Sequence, residues 1–116
     1  MRMLLIFAAA FTLITSCSGN GMPSGIMPID TMKYVMYDII RAQELALMTN
    51  SKDTTAANQK TFDLYRQVFA IHKISKEDFL KSFHYYEANP DKIKTLYDSV
   101  SAFADRKRRD VYMKLR

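Results

Sequence analysis

Cysteine is almost absent from this 116-residue chain, because Cys17 is the only one. One cysteine forms no internal disulfide, so a domain of this size has to be held by its apolar core alone. Tryptophan is absent, and no glycine follows Gly25. The glycine-rich loops that bind phosphate groups are therefore excluded from the rest of the chain.

Long apolar runs are also lacking, except for one at the start. Arg2 is followed by an apolar stretch from Met3 to Ile14, and Thr15 and Ser16 then precede Cys17. About twelve apolar residues suit an export signal and fall short of the roughly 20 that span a bilayer. An ordinary secretory signal and a short buried helix are the alternatives. The small residues directly before the cysteine favour a lipoprotein signal peptide over residues 1–16.

The end of this run resembles a bacterial lipobox: a branched apolar residue, two small residues and cysteine. The resemblance implies that Cys17 becomes the first mature residue and carries covalent lipid, including acyl chains such as palmitate. Ser18 stands where an aspartate would indicate retention at the inner membrane, and no acidic residue follows directly. These features predict a lipid anchor in the outer membrane, on its periplasmic face. No cofactor other than this lipid is predicted.

Residues 17–29 are predicted to form the lipidated cysteine and a flexible tether. From Ser18 to Gly25 the chain is uncharged and rich in Gly, Ser, Asn and Pro. This composition resists both helix and strand. A short tether of this kind would keep the domain that follows close to the membrane.

Residues 30–116 show helical periodicity and no sustained two-residue alternation. Asp30 is the predicted N-cap of a first helix ending near Thr49, because Met32, Val35, Met36 and Ile39 recur at helical spacing. A polar loop over residues 50–58 precedes a second helix, predicted from about Ala57 to His72.

The third helix has the clearest start in the sequence. Ser75 opens a capping box, and Ile74 and Phe79 occupy the two positions of a hydrophobic staple. Asn89 and Pro90 then suit the N-cap and first position of a fourth helix that reaches the C-terminus. The predicted fold is all-α: a small bundle or orthogonal array of about four helices.

The third helix also carries a family resemblance. The segment from Ile74 to Pro90 reads ISKEDFLKSFHYYEANP. Its I-S-x-E-x-F opening, its Ser-apolar-x-Tyr-Tyr middle and its Asn-Pro close resemble a Bacteroidota lipoprotein family of unknown function, domain of unknown function 4296. The resemblance covers roughly residues 24–105. It implies an exported helical protein and assigns no catalytic residue.

Catalytic and metal-binding patterns are weak. His72 and His84 lie on different predicted helices, and His84 has only Glu87 at a spacing that would suit a metal. We interpret that pair as part of a solvated face, and His72 as a half-buried residue or a partner of the helix dipole. No nucleophile, acid and base converge. The sequence therefore predicts no catalytic residue, no metal site and no enzyme.

Two features indicate a binding surface. Tyr85 and Tyr86 are consecutive, so both cannot share one narrow buried stripe, and Tyr85 is assigned to the helix edge. It would serve either as a partner contact or as a structural hydroxyl donor. At the other end of the domain, Arg106, Lys107, Arg108 and Arg109 follow one another. The predicted partner-binding residues are these four and Tyr85.

The basic run favours either a partner protein or anionic headgroups, since the helix dipole alone needs fewer cations. An exported lipoprotein does not meet chromosomal DNA, so no nucleic-acid partner is predicted. The predicted function is a non-enzymatic interaction module or accessory subunit of a cell-envelope complex for outer-membrane assembly or export. The alternative is a small lipid or ligand carrier at the outer membrane, with Met and Phe side chains lining an adaptable pocket.

Overall fold

The computed structural model describes residues 22–49 and 52–116. Four helices are present: α1 (Ile29–Thr49), α2 (Thr54–His72), α3 (Lys76–Glu87) and α4 (Pro90–Lys114). No strand occurs in this part of the chain. The predicted all-α class with four helices is confirmed. The predicted signal peptide, Cys17 and the tether as far as residue 21 lie outside the described residues.

The first helix begins earlier than its sequence indicates. The carbonyl of Pro28 accepts hydrogen bonds from the backbone N–H groups of Thr31 and Met32, at 3.0 and 2.9 Å. Asp30 therefore lies inside the first turn, and the prediction that it caps α1 is wrong. Its carboxylate instead accepts a 2.9 Å hydrogen bond from Lys33. That bond lowers the pKa of Asp30 and raises the pKa of Lys33.

The second helix also begins earlier than predicted. Asp53 is its N-cap, and its Oδ1 accepts a 3.0 Å hydrogen bond from the N–H of Ala56. The predicted start at Ala57 is therefore wrong by about one turn. Of the predicted loop, residues 50 and 51 lie outside the described residues. Within the described residues, the loop ends before Thr54, where α2 begins.

The starts of the third and fourth helices are closer to prediction. The Ser75 hydroxyl accepts a 3.0 Å hydrogen bond from the N–H of Asp78, which confirms Ser75 as a cap. Asn89 and Pro90 occupy the predicted positions, but the Asn89 side chain does not cap α4. Its amide donates to the carbonyl of Tyr85 at 2.6 Å and so closes the turn between α3 and α4.

Helix α1 is central and contacts both α2 and α4, while α3 contacts α4. All four helices contribute to one core. Its buried members are Met32, Val35, Met36, Ile39, Ala42, Val68, Phe79, Tyr86, Leu96 and Val100. Half of these belong to α1. The predicted apolar stripe of the first helix is therefore buried along most of its length.

The directions of the helices follow from a few contacts. Asp30 and Lys92 line one small cavity, so α1 and α4 start side by side. Further along, the ring of Tyr37 meets the edge of Phe103 with centroids 5.0 Å apart. The two helices therefore run in the same direction. Helix α2 follows a short loop and returns antiparallel to α1, with His72 at its end bonded to Asp38.

Within the described ranges, no helix is both long enough and apolar enough to cross a bilayer.

Candidate docking site

The described chain begins with a non-helical segment that is fastened to α3. The N–H of Met27 donates a 2.9 Å hydrogen bond to the Ser82 hydroxyl. The Tyr86 hydroxyl donates a 2.7 Å hydrogen bond to the Met27 carbonyl. Ser82 and Tyr86 are both fully buried. We call this pair of hydrogen bonds the Met27 clamp.

The Met27 clamp satisfies backbone groups that have no helical partner. A buried backbone N–H or carbonyl left without a hydrogen bond costs about 1–3 kcal/mol. Met27 lies two residues before α1, so the two hydrogen bonds couple the start of α1 to the middle and end of α3. The segment that the sequence predicts as a tether is therefore part of the folded domain from about Met22 onward.

A tight turn precedes the clamp. The N–H of Ile26 donates to the carbonyl of Pro23 at 3.4 Å, and Gly25 has φ +81°. A β-carbon added at Gly25 would lie 2.7 Å from the Lys81 ammonium. Glycine therefore suits this position chiefly through its backbone conformation, because the flexible Lys81 side chain can move away.

Tyr86 contributes more than a hydrogen bond. It is the largest fully buried side chain in the described part of the molecule. Burial, with a smaller contribution from Tyr85, raises the pKa of the Tyr86 phenol to about 12. The folded protein therefore keeps this group neutral, as its role as a donor to Met27 requires.

Tyr85 lies beside the clamp and not inside the core. Its ring is half-buried and meets the edge of Tyr86, with centroids 5.7 Å apart and planes at 76°. The Lys92 ammonium lies 5.9 Å from the centre of the Tyr85 ring. The Tyr85 hydroxyl has no hydrogen-bond partner among the described residues. The predicted position at the helix edge agrees with this geometry, and a partner contact by Tyr85 stays a prediction.

The four predicted cations lie near the end of α4, and all are exposed. Arg106 and Lys107 approach the Phe103 ring, at 5.8 and 5.5 Å from its centre. Arg108 forms a 2.7 Å ion pair with Asp105. Arg109 has no ion-pair partner in the described ranges. Within the described residues, a carboxylate therefore pairs with Arg108 alone among these four cations.

Exposed apolar side chains share the same end of α4. Val111, Tyr112, Met113 and Leu115 are 56–79% exposed. Every residue from Asp105 to the C-terminus is exposed. We call residues 105–116 the α4 end.

The structure separates Tyr85 from the α4 end. Tyr85 lies beside Lys92, whereas the basic run begins at Arg106. Fourteen helical positions separate those two cations, which corresponds to about 21 Å. The five predicted partner-binding residues therefore do not form one site.

The two histidines occupy different environments. Nε2 of His72 lies 2.7 Å from Oδ2 of Asp38, and the imidazole is half-buried. His84 is exposed and lies 3.4 Å from Glu87. No group of three or more His, Cys, Asp or Glu in the described residues is arranged to hold a metal ion.

One further feature is an apolar groove between α2 and α3, whose position the sequence did not indicate. It has a volume of about 360 Å³. Its lining residues are Ile39, Phe62, Tyr65, Arg66, Phe69, Lys76, Phe79 and Leu80. The spacing of Phe62, Tyr65 and Phe69 had indicated one face of α2, but spacing alone does not tell a buried face from the wall of an open groove.

One known family matches most of this chain. A family described as Domain of unknown function (DUF4296) matches residues 23–110. The match covers well over half of the chain, and the protein belongs to this family. Among curated proteins and among solved structures, no match was found. Within the motif that carries the resemblance, the serine and the second tyrosine are Ser82 and Tyr86, the side chains of the Met27 clamp.

Removal of one clamp hydrogen bond should destabilise the domain measurably. Tyr86→Phe keeps the ring but leaves the Met27 carbonyl without its donor, so we expect a loss of about 1–2 kcal/mol in the free energy of unfolding. Tyr85→Phe is the matched control, and we expect it to change stability by less than about 0.5 kcal/mol. Urea unfolding of both variants measures the difference. Equal losses in the two variants would contradict a stabilising hydrogen bond from the Tyr86 hydroxyl to Met27.

The same tyrosine predicts a dependence on alkaline pH. Its pKa is about 12 in the folded state and near its ordinary value of 10 in the unfolded state. A folded pKa raised in this way gives stability that is complete below pH 10 and is lost as the pH rises toward 12. The stability difference between the wild type and Tyr86→Phe should therefore shrink across this interval. A constant difference in urea titrations at successive pH values would contradict the assignment.

Proposed function

We propose that this protein is a non-enzymatic, lipid-anchored periplasmic interaction module. In this proposal it is an accessory subunit of a cell-envelope complex that acts in outer-membrane assembly or export. The observation that carries the proposal is the α4 end, where large apolar side chains and a run of cations are exposed together.

The apolar side chains of the α4 end support a protein partner. Scattered single apolar residues are normal on a surface, but four within one short helical segment are not. Val111 continues the row of Val100 and Ala104 along the side of α4 that faces α1, and these residues line a shared groove. Leu115 lies one turn further on. A partner helix that packs along this row would extend the existing core.

The charges of the α4 end indicate the chemistry of that partner. Arg106, Lys107 and Arg109 have no carboxylate bound to them in the described residues. A complementary partner surface would carry acidic side chains around an apolar strip. Charges at the edge of an interface mainly accelerate association and select the partner, while the buried apolar residues supply most of the affinity.

The position of the clamp supports docking away from the anchor. Residues 17–22 span at most about 18 Å, and Met22 at their far end lines a small cavity with residues at the starts of α1 and α4. Helix α4 then carries the basic run more than about 20 Å from that point. In this arrangement the lipid keeps the domain at the membrane, and the α4 end is directed toward a partner beyond the anchor point.

Site-specific cross-linking in the native envelope tests this proposal. A photoreactive amino acid at Leu115, which lies on this row, should capture one stoichiometric envelope protein, whereas the same group at Asn58 on α2 should not. Replacement of Arg106, Lys107, Arg108 and Arg109 by Gln should lower the captured amount by about tenfold at low ionic strength, where charge effects are largest. Thermal unfolding should be nearly unchanged, because all four side chains are exposed.

A second set of replacements provides the matched control. Gln in place of four exposed cations elsewhere, Lys52, Lys60, Lys73 and Lys94, removes the same charge from other surfaces. We expect this variant to retain the Leu115 cross-link. Equal loss in both variants would indicate a general charge effect, and an unchanged cross-link in the first variant would reject the basic run as a docking element.

A further inference from the structure

Helices α1 and α4 run side by side in the same direction, and an open cleft of about 540 Å³ follows the line between them. We call it the α1–α4 cleft. Both helices line it, α1 with residues that include Ile40, Arg41 and Glu44, and α4 with residues that include Lys107, Arg108 and Val111. The Phe103 ring makes T-shaped contacts with Tyr34 and Tyr37, at centroid distances of 4.8 and 5.0 Å, and these contacts fix the spacing of the two helices.

Both helices continue beyond the lining with exposed apolar side chains. Met48 lies one turn after Glu44 on α1, and Leu115 lies one turn after Val111 on α4. Their exposed fractions are 80% and 79%. Since the two helices run in the same direction, these side chains extend the cleft at the same end. The exposed apolar surface at this end of the domain therefore has two walls, and the α4 end forms one of them.

The charges of the cleft are unbalanced. Its lining contains three cations, Arg41, Lys107 and Arg108, and one carboxylate, that of Glu44. Glu44 pairs with Arg41 at 2.8 Å, and Asp105 pairs with Arg108 at 2.7 Å. Lys107 has no carboxylate partner in the part of the chain that the structure describes. The cleft therefore complements an occupant that carries negative charge.

These charges disfavour a second copy of this chain as the occupant. Identical chains most often pair about a two-fold axis, so that a surface patch meets the same patch of its partner. That arrangement would bring the cations of one cleft against the same cations of the other, and like charges across an interface oppose association. An amphipathic helix lays its apolar face into a groove of this kind. If acidic side chains flank that face, the helix complements both the apolar walls and the cations.

The helix ends indicate the direction of this occupant. A helix carries partial negative charge at its C-terminus and partial positive charge at its N-terminus. The C-termini of α1 and α4 lie at the same end of the cleft, and α1 has no basic residue in its last turn. An antiparallel helix would place its positive N-terminus at this end. Acidic side chains in its first turns, where they are favoured, would then lie toward Lys107 and Arg108.

We propose that the α1–α4 cleft binds one amphipathic helix of the partner protein, antiparallel to α1 and α4, with acidic side chains near its N-terminus. The proposal rests on the docking function proposed for the α4 end and adds α1 to the binding surface. Ile40 and Met48 contact the apolar face of the bound helix. Arg41 and Lys107 select acidic side chains at its two edges.

Cross-linking from α1 tests the second wall. The photoreactive amino acid used at Leu115 is placed at Ile40 or at Met48 of the full, lipidated protein in its native envelope, and cross-linked peptides are identified by mass spectrometry. We expect both positions to label the protein that Leu115 captures, within one amphipathic segment rich in acidic residues. Labels from Ile40 should lie about eight residues C-terminal to labels from Met48, because the partner helix is antiparallel.

A charge reversal on α1 tests the complementarity. Arg41→Glu should lower the Leu115 cross-link by about tenfold at low ionic strength, although Arg41 lies on a different helix from the probe. Thermal unfolding should be nearly unchanged, since the Arg41 side chain is 64% exposed. Lys60→Glu makes the same change of charge on α2 and should leave the cross-link within about twofold. Replacing the acidic partner residue nearest the label by Lys should restore capture by Arg41→Glu.

The outcomes distinguish this inference from the docking function. Capture from Leu115 that is absent from Ile40 and Met48 and unaffected by Arg41→Glu would overturn the cleft but leave docking through the α4 end intact. Labels from Ile40 on a second copy of this chain, or on lipid, would overturn the acidic helix as occupant. The reverse order of labels would overturn its direction. Absence of any capture from Leu115 would reject the docking function and this inference together. As a control, the same probe at Ile71, an exposed apolar residue of α2, should label none of these peptides.

Discussion

The hydrogen bonds of the Met27 clamp are the constraint on which the rest of this small domain depends. With one cysteine in the chain, no internal disulfide holds the non-helical segment against the helices. Ser82 and Tyr86 do so by binding both backbone groups of one residue. Helix α1 is the central helix and begins two residues after Met27. The clamp therefore fixes where the buried face of α1 packs against α3 and α4. It also determines where the chain that leads to Cys17 leaves the domain.

Features that depend on local chemistry could be predicted from the sequence. Ser75 was recognisable as a cap because its hydroxyl needs only an N–H three residues away, and helical spacing identified most of the core. Asp30 and Asn89 carry the same kind of capping side chain, but each binds a different group within four residues: Asp30 accepts from Lys33, and Asn89 donates to the carbonyl of Tyr85. The groove was beyond local reasoning, since Phe62 has the spacing of a core residue and only the packing of α3 leaves it exposed.

Tyr85 and the basic run lie in different parts of the domain and do not form one binding site. The sequence shows the consecutive tyrosines and the run of cations, but the distance between these two features depends on the length of α4. Tyr85 belongs to the end of the domain fastened by the clamp, and its contact with Tyr86 supports that end structurally. The groove lies between α2 and α3, and the cations lie at the far end of α4. In the proposed arrangement, packing, anchoring and binding occupy different parts of one short chain.

The length of α4 is difficult to explain by stability alone. Its last buried residue is Val100, yet the helix continues to Lys114. An exposed helical extension of this kind gains little from the core, and it is supported mainly by local terms such as the Arg108–Asp105 pair and cations near the helix C-terminus. Polar residues in place of Val111, Met113 and Leu115 would allow the same local stabilisation. The apolar side chains therefore gain stability only when a partner covers them, which is why the α4 end carries the functional proposal.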